Sequence, residues 1–87
     1  MTAGTTTPDR ARVFEVVREV TAKVLPDVDT SGMTIDGTLS DLGANSIDRA
    51  DIATMAMMEL GVKVPAREFA GVKDIGTLVD VLLAQLP

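Results

Sequence analysis

The stretch LGANSIDRADIATMAMMELG, residues 42–61, decides the fold. Gly43 sits in a loop, an Asn-Ser pair follows, and from Ser46 to Leu60 the chain runs without glycine or proline until Gly61. This is the start and stop pattern of a helix with Gly61 at its C-cap. At about 100° per residue, Ile52, Ala53, Ala56 and Leu60 make one apolar stripe, sufficient to pack into a small bundle. Ile47, Ala50, Met57 and Met58 fall on the other side, beside Asp51 and Thr54. A helix apolar nearly all round is either buried all round or binds something, and a short chain has too much surface to bury its helices completely. Unbranched, polarisable methionine suits an adaptable contact surface; its competing use is to fill gaps in a loosely packed core.

The junction at Asn45 and Ser46 admits two readings. With Asn45 as N-cap, Asp48 stands three residues on, where its carboxylate reaches back to the cap as in a capping box. Ser46 is then the first helical residue. Its hydroxyl is not needed for capping and projects where unpaired amides and the positive end of the macrodipole favour anions, so a phosphodiester attached there would sit in favourable electrostatics. With Ser46 itself as N-cap, Asn45 becomes a turn residue and the third helical position falls on Arg49, a poor capping-box partner. Local sequence does not choose between the two.

Upstream, residues 1–8, MTAGTTTP, are polar and Thr-rich and close at Pro8, so a disordered tail is expected there and the domain over 9–87. A helix is predicted from about Asp9, its N-cap, to Val24, where Pro26 ends it; Val13, Val16, Val17, Val20 and Val24 recur at three-to-four spacing with Phe14 beside them. Valine is a modest helix former, so packing rather than propensity must stabilise this helix. Residues 25–45 form a long connection punctuated by Pro26, Gly32, Gly37 and Gly43. Connections longer than about 12–15 residues tend to be functional, and Met33, Ile35, Leu39 and Leu42 should hold this one over the core. Downstream, VKVP extends to Pro65, AREFAG makes a short helical turn closing at Gly71, and a last helix begins after the cap candidate Asp74 and buries Ile75, Leu78, Val79, Leu82 and Leu86. The result is an all-α fold: a small four-helix bundle of three main helices and one short one, with a long first loop and no strand signal.

The chain has 87 residues, enough for one domain and near the lower limit for a core without staples. It contains neither cysteine nor histidine. Disulfides, thiolate and Ser-His nucleophiles, and Cys- or His-ligated metals are therefore removed, which leaves carboxylates, lysines or a cofactor to carry any chemistry. Catalysis by the chain alone is not expected. A net charge of −5 with only Phe14 and Phe69 as aromatics is the wrong footprint for nucleic acid, and an anionic membrane would repel it. With no signal-like N-terminus and no long apolar run, a cytoplasmic location is expected. The charge is concentrated in residues 27–51, where Asp27, Asp29, Asp36, Asp41, Asp48 and Asp51 face Arg49 alone. A field of this kind steers a basic partner, although acids at helix starts in a solvated loop produce the same pattern.

LGANSIDRADI resembles the prosthetic-group site of acyl carrier proteins, in which a Gly-x-Asp-Ser-Leu sequence opens the second helix and the serine carries 4'-phosphopantetheine. The likeness extends over about residues 9 to 86: an acidic first loop, a second helix ending at Gly61, VKVP before a short third helix, and a final amphipathic helix. It implies that a phosphopantetheinyl transferase moves the arm from coenzyme A to Ser46, and that the arm's terminal thiol then holds an acyl group as a thioester. The carrier, a monomer, presents that cargo to separate enzymes and catalyses nothing; the reactive sulfur belongs to the cofactor. Asp48 and Asp51 are implied as charge contacts to partners and Ile47 as the apolar contact beside the arm. Two departures stand out. Asn45 replaces the family's usual Asp, which keeps the capping function and removes one charge, while Met57 and Met58 occupy positions commonly acidic in fatty-acid-synthesis carriers. Both shift the face toward hydrophobic recognition, and Arg49 adds an unusual positive charge near the arm. With Thr54, these residues complete the candidate partner face.

GANSIDRADI together with FAGVKDIGTLVDVL is similar to a narrower group, the discrete donor carriers of polyketide β-branching cassettes. That likeness implies an acetyl cargo delivered to an HMG-CoA-synthase-like enzyme, with an acyl-loading or decarboxylating ketosynthase-like enzyme supplying it. The rivals are a general polyketide or peptidyl carrier and, from another class, a helical adaptor whose Met-bearing face binds a partner without any covalent arm.

Overall fold

A computed structural model describes residues 9–86. Three α-helices are present, α1 (Arg10–Val24), α2 (Ser46–Leu60) and α3 (Ile75–Leu83), with single 3₁₀ turns at Thr30–Gly32, Ser40–Leu42 and Ala66–Phe69. Among the described residues there is no strand, and no helix is long and apolar enough to cross a membrane. The tail expected over residues 1–8 lies outside the described residues.

α1 begins where the Asp9 carboxylate accepts the Arg12 amide at 2.7 Å, and it ends as the Leu25 amide reaches the Thr21 carbonyl just before Pro26. Val13, Val16, Val17 and Val20 are buried, with Phe14 and Val24 half-buried at the edge. Thr21 is fully buried among them and satisfied, because its Oγ1 donates to the Val17 carbonyl at 2.7 Å. Ile52 and Ala56 of α2 and Ile75, Leu78, Val79 and Leu82 of α3 complete the core. α1 packs on both partners, whereas α2 and α3 scarcely touch each other.

Two predicted details change. AREFAG forms a 3₁₀ turn, Ala66–Phe69, and not an α-helix: the bonds run Glu68 to Pro65, Ala70 to Arg67 and Val72 to Phe69, all i→i+3, and the five residues between Pro65 and Gly71 hold little more than one turn. The last helix stops at Leu83, where the chain tightens to the i→i+3 bonds of Gln85 and Leu86, so Leu86 packs half-buried beyond the helix.

The long connection is tied down. Met33 and Leu39 are buried, Ile35 and Leu42 half-buried. Two backbone bonds fasten it to the start of α3, from the Ile75 amide to the Gly37 carbonyl at 2.9 Å and from the Gly76 amide to the Ile35 carbonyl at 2.8 Å. These carbonyls take first-turn amides that no helix can satisfy internally. A Cβ on Gly76 would lie 3.0 Å from the Ile35 carbonyl oxygen and 3.2 Å from its Cγ2. The carbonyl cannot retreat without stretching its bond to the Gly76 amide. Gly76→Ala is therefore expected to lose roughly 1 kcal/mol in thermal or urea unfolding: an overpacking cost of about 1–3 kcal/mol outweighs a propensity gain of at most about 1 kcal/mol.

Asp74 caps α3 by accepting both the amide and the hydroxyl of Thr77 at 2.7 Å. The Thr77 hydroxyl first, then its amide, hold the Asp74 carboxyl below the ordinary carboxylate range. A folded-state pKa lowered in this way adds stability that is present above the unfolded pKa and is lost as pH falls through the folded value. Asp74→Asn keeps a capping oxygen but does not titrate. The wild-type advantage in thermal midpoint over Asp74→Asn is expected at neutral pH and should fade below about pH 4. Across the bundle, Arg10 donates to both Asp80 carboxylate oxygens, at 2.8 and 3.2 Å, in an exposed pair that joins α1 to α3.

Candidate functional site

The site is built by the turn that enters α2. Buried Leu39 and Ala44 anchor it, with the Ala44 amide on the Leu39 carbonyl at 3.1 Å. Between them Gly43, at φ 93°, adopts the left-handed conformation that favours glycine, and its amide closes the Ser40–Leu42 turn on the Ser40 carbonyl. The chain is thereby reversed and Asn45 emerges at the surface. The Asn45 side-chain oxygen accepts the Asp48 amide at 2.8 Å while the Asp48 carboxylate accepts the Asn45 amide at 3.2 Å, a complete capping box. Of the two readings the sequence allowed, Asn45 is the cap and Ser46 the first helical residue, exposed and not used for capping.

These residues fit a phosphodiester on Ser46. The hydroxyl is open to a modifying enzyme, and the first-turn amides and helix dipole favour an anion there. Asp48, expected as a partner contact, is half-buried and committed to the cap. Arg49 turns back along the helix, its Nη1 donating to the Ser40 hydroxyl at 2.9 Å and to the Ala44 carbonyl at 3.2 Å.

Further along α2 the candidate residues part company. Ile47, Asp51, Thr54 and Met58 follow the four-three-four spacing of a single face, and all four are exposed. Its two ends are large and apolar, Ile47 at 71% and Met58 at 76% exposure, the only large hydrophobic side chains so exposed among the described residues. Met57 faces inward. It is half-buried against the core, and its sulfur accepts the Val64 amide at 3.2 Å. Adjacent helical residues point about 100° apart, so the two methionines do different work.

An open-sided cavity of about 380 Å³ lies between α2 and the connection from Val64 to Val72, with Leu78 of α3 at its wall. Ala53 and Met57 form part of its α2 wall, and Leu39, Phe69 and Val72 face them. Arg49 is the one charged residue lining it among the described residues. Ser46, Ala50, Ala53 and Met57 lie at helical spacing, so a group on Ser46 has a track of small side chains leading toward this space. The cavity was not anticipated from the sequence. Its one signal was Phe69, an aromatic in a four-residue turn between proline and glycine.

Residues 15–82 match the family described as the phosphopantetheine attachment site. The chain is 43% identical over 74 residues to the polyketide biosynthesis acyl-carrier-protein AcpK of Bacillus subtilis (strain 168), across 85% of this chain and 90% of that protein. It is 31% identical over 70 residues to an acyl carrier protein of Rhodococcus erythropolis, across 79% of this chain and 71% of the other. In three dimensions it resembles, with a TM-score of 0.80 and 31% identity, a chain from the crystal structure of the curacin biosynthetic pathway HMG synthase in complex with acetyl donor-ACP, over 88% of this chain and 99% of that one. The prosthetic group of this family is a covalently attached 4'-phosphopantetheine. The protein belongs to the acyl carrier proteins, the phosphopantetheine-attachment family, and is a carrier and not an enzyme.

Proposed function

We propose that Ser46 carries the 4'-phosphopantetheine and that the chain is the acetyl-donor carrier of a polyketide β-branching system, presenting its cargo to an HMG-CoA-synthase-like enzyme. The observation that carries the assignment is the division of labour at the start of α2: Asn45 and Asp48 complete the cap between themselves and leave the Ser46 hydroxyl exposed and unused. When bound, the arm supplies a thiol that holds an acyl group as a thioester. The chain's own residues hold and orient it. Gly43 and Ala44 fix the approach to the helix, Asn45 and Asp48 fix its first turn, and the stripe Ile47, Asp51, Thr54 and Met58 is the surface offered to partners. Likeness to AcpK supports the polyketide setting, and likeness to a chain of the acetyl donor-ACP complex supports the acetyl cargo and the synthase.

The remaining partners on this reading are a phosphopantetheinyl transferase and an acyl-loading or decarboxylating ketosynthase-like enzyme. The carrier domain is taken as 9–87, with the Ala66–Phe69 turn standing as the short third helix of a four-helix carrier bundle, in a monomeric cytoplasmic protein. Intact-mass spectrometry after incubation with a broad-specificity phosphopantetheinyl transferase and coenzyme A tests the assignment. One phosphopantetheine increment is expected; no increment in a sample shown to be folded overturns it.

A further inference from the structure

Arg49 is the lone cation in the acidic stretch 27–51, yet among the described residues it makes no ion pair. Its Nη1 is clamped on two neutral oxygens, those of the Ser40 hydroxyl and the Ala44 carbonyl, both in the turn that leads into Ser46. Its Nε and Nη2 make no hydrogen bond among the described residues, and together they form the edge of a guanidinium that grips a phosphate bidentately. Ser46 and Arg49 stand at i and i+3, with Cβ atoms about 5–6 Å apart on one side of the helix, and long helical side chains lean toward the N-terminus. The same end of α2 already holds the Asp48 carboxylate in the capping box. A phosphodiester added there meets a like charge, and Arg49 is the nearest group in the sequence able to offset it.

We propose that Arg49 is a positioning residue for the prosthetic group: anchored through Nη1 to the Ser40–Ala44 turn, it receives the phosphodiester on Ser46 through Nε and Nη2. This rests on Ser46 as the attachment point. Its consequence is that attachment stiffens the Ser40–Ala44 turn and fixes the direction in which the arm leaves the helix. Arg49 thereby serves the arm rather than the partner enzymes.

The test compares apo and free-thiol holo forms of the wild type, Arg49→Gln and Arg49→Lys, so that no acyl cargo contributes. Gln keeps a donor for the Ala44 carbonyl and removes the charge; Lys keeps the charge and removes the fork. At low ionic strength, conversion to the holo form is expected to raise the wild-type thermal midpoint by about 2–4 °C, and Arg49→Gln should lose that gain. Arg49→Lys should keep part of it. In the wild-type holo form the ³¹P resonance of the arm should be displaced from its position in Arg49→Gln, and exchange of the Arg49 Nε–H should slow on attachment. An equal holo-minus-apo shift in wild type and Arg49→Gln, with coincident ³¹P resonances, overturns the Arg49 assignment alone. A mass increment that fails to form, or that survives Ser46→Ala, overturns the attachment reading beneath it.

Discussion

Ser46→Ala is expected to gain no mass in the transferase reaction and to lose all delivery of acyl cargo, while keeping wild-type helicity and thermal midpoint. The loss is complete because neither of the other two serines stands at the start of an α-helix. Ser40 lies in a separate 3₁₀ turn and accepts from Arg49, and Ser31 donates to Asp29 within its own turn. The fold is spared because Ser46 contributes nothing to the cap: Asn45 and Asp48 satisfy each other, and the Ser46 side chain is exposed. Alanine is also the better helix former, so the change in stability should stay within about 0.5 kcal/mol. The measurement pairs intact mass with circular dichroism on the same sample. It also separates the carrier from a non-covalent helical adaptor, which would bind its partner through Ile47 and Met58 regardless of residue 46. Partner binding by Ser46→Ala equal to that of the loaded wild type would favour the adaptor.

Most helix limits were legible because they are set by local chemistry. Asp9 and Asp74 each accept the amide three residues on, as their placement before periodic apolar runs implied. Gly61, at φ 70°, closes α2 with its amide on the Met58 carbonyl and the Val62 amide on the Met57 carbonyl. The valines of α1 are buried where their spacing placed them, apart from half-buried Val24. What the sequence could not disclose involves partners without a side-chain signature. Nothing in residues 35–37 announces that the Ile35 and Gly37 carbonyls bind the first amides of α3, because every residue carries the same carbonyl. The choice between Asn45 and Ser46 as cap turned on whether Asp48 closes the box, a matter of geometry. Arg49 read as a charge facing partners, and only the structure shows its Nη1 turned onto the loop.

The methionines show the same limit and give the second large effect. In a helix apolar nearly all round, periodicity marks a face only coarsely, and Met57 and Met58 read as one patch. The structure divides them. Met57 lines the cavity between α2 and the connection that follows it, packs against the core and accepts the Val64 amide, whereas Met58 is 76% exposed. Met57→Glu would set a carboxylate against Leu39, Phe69 and Val72 and is expected to cost about 2 kcal/mol, a fall of roughly 10 °C in thermal midpoint. Met58→Glu should lower the midpoint by only about 2–4 °C, since its side chain is exposed and the carboxylate's opposition to the helix dipole in the last turn of α2 costs about 0.5 kcal/mol. It should instead lower transfer to the HMG-CoA-synthase-like partner by about tenfold, because it replaces an exposed apolar anchor with a charge where the partner must desolvate it. Loading by the phosphopantetheinyl transferase serves as the control for folding at the Ser46 end. Thermal melts and single-turnover transfer on the two variants decide the matter: equal thermal losses would return the methionines to one packing role, and unchanged transfer by Met58→Glu would remove Met58 from the partner surface.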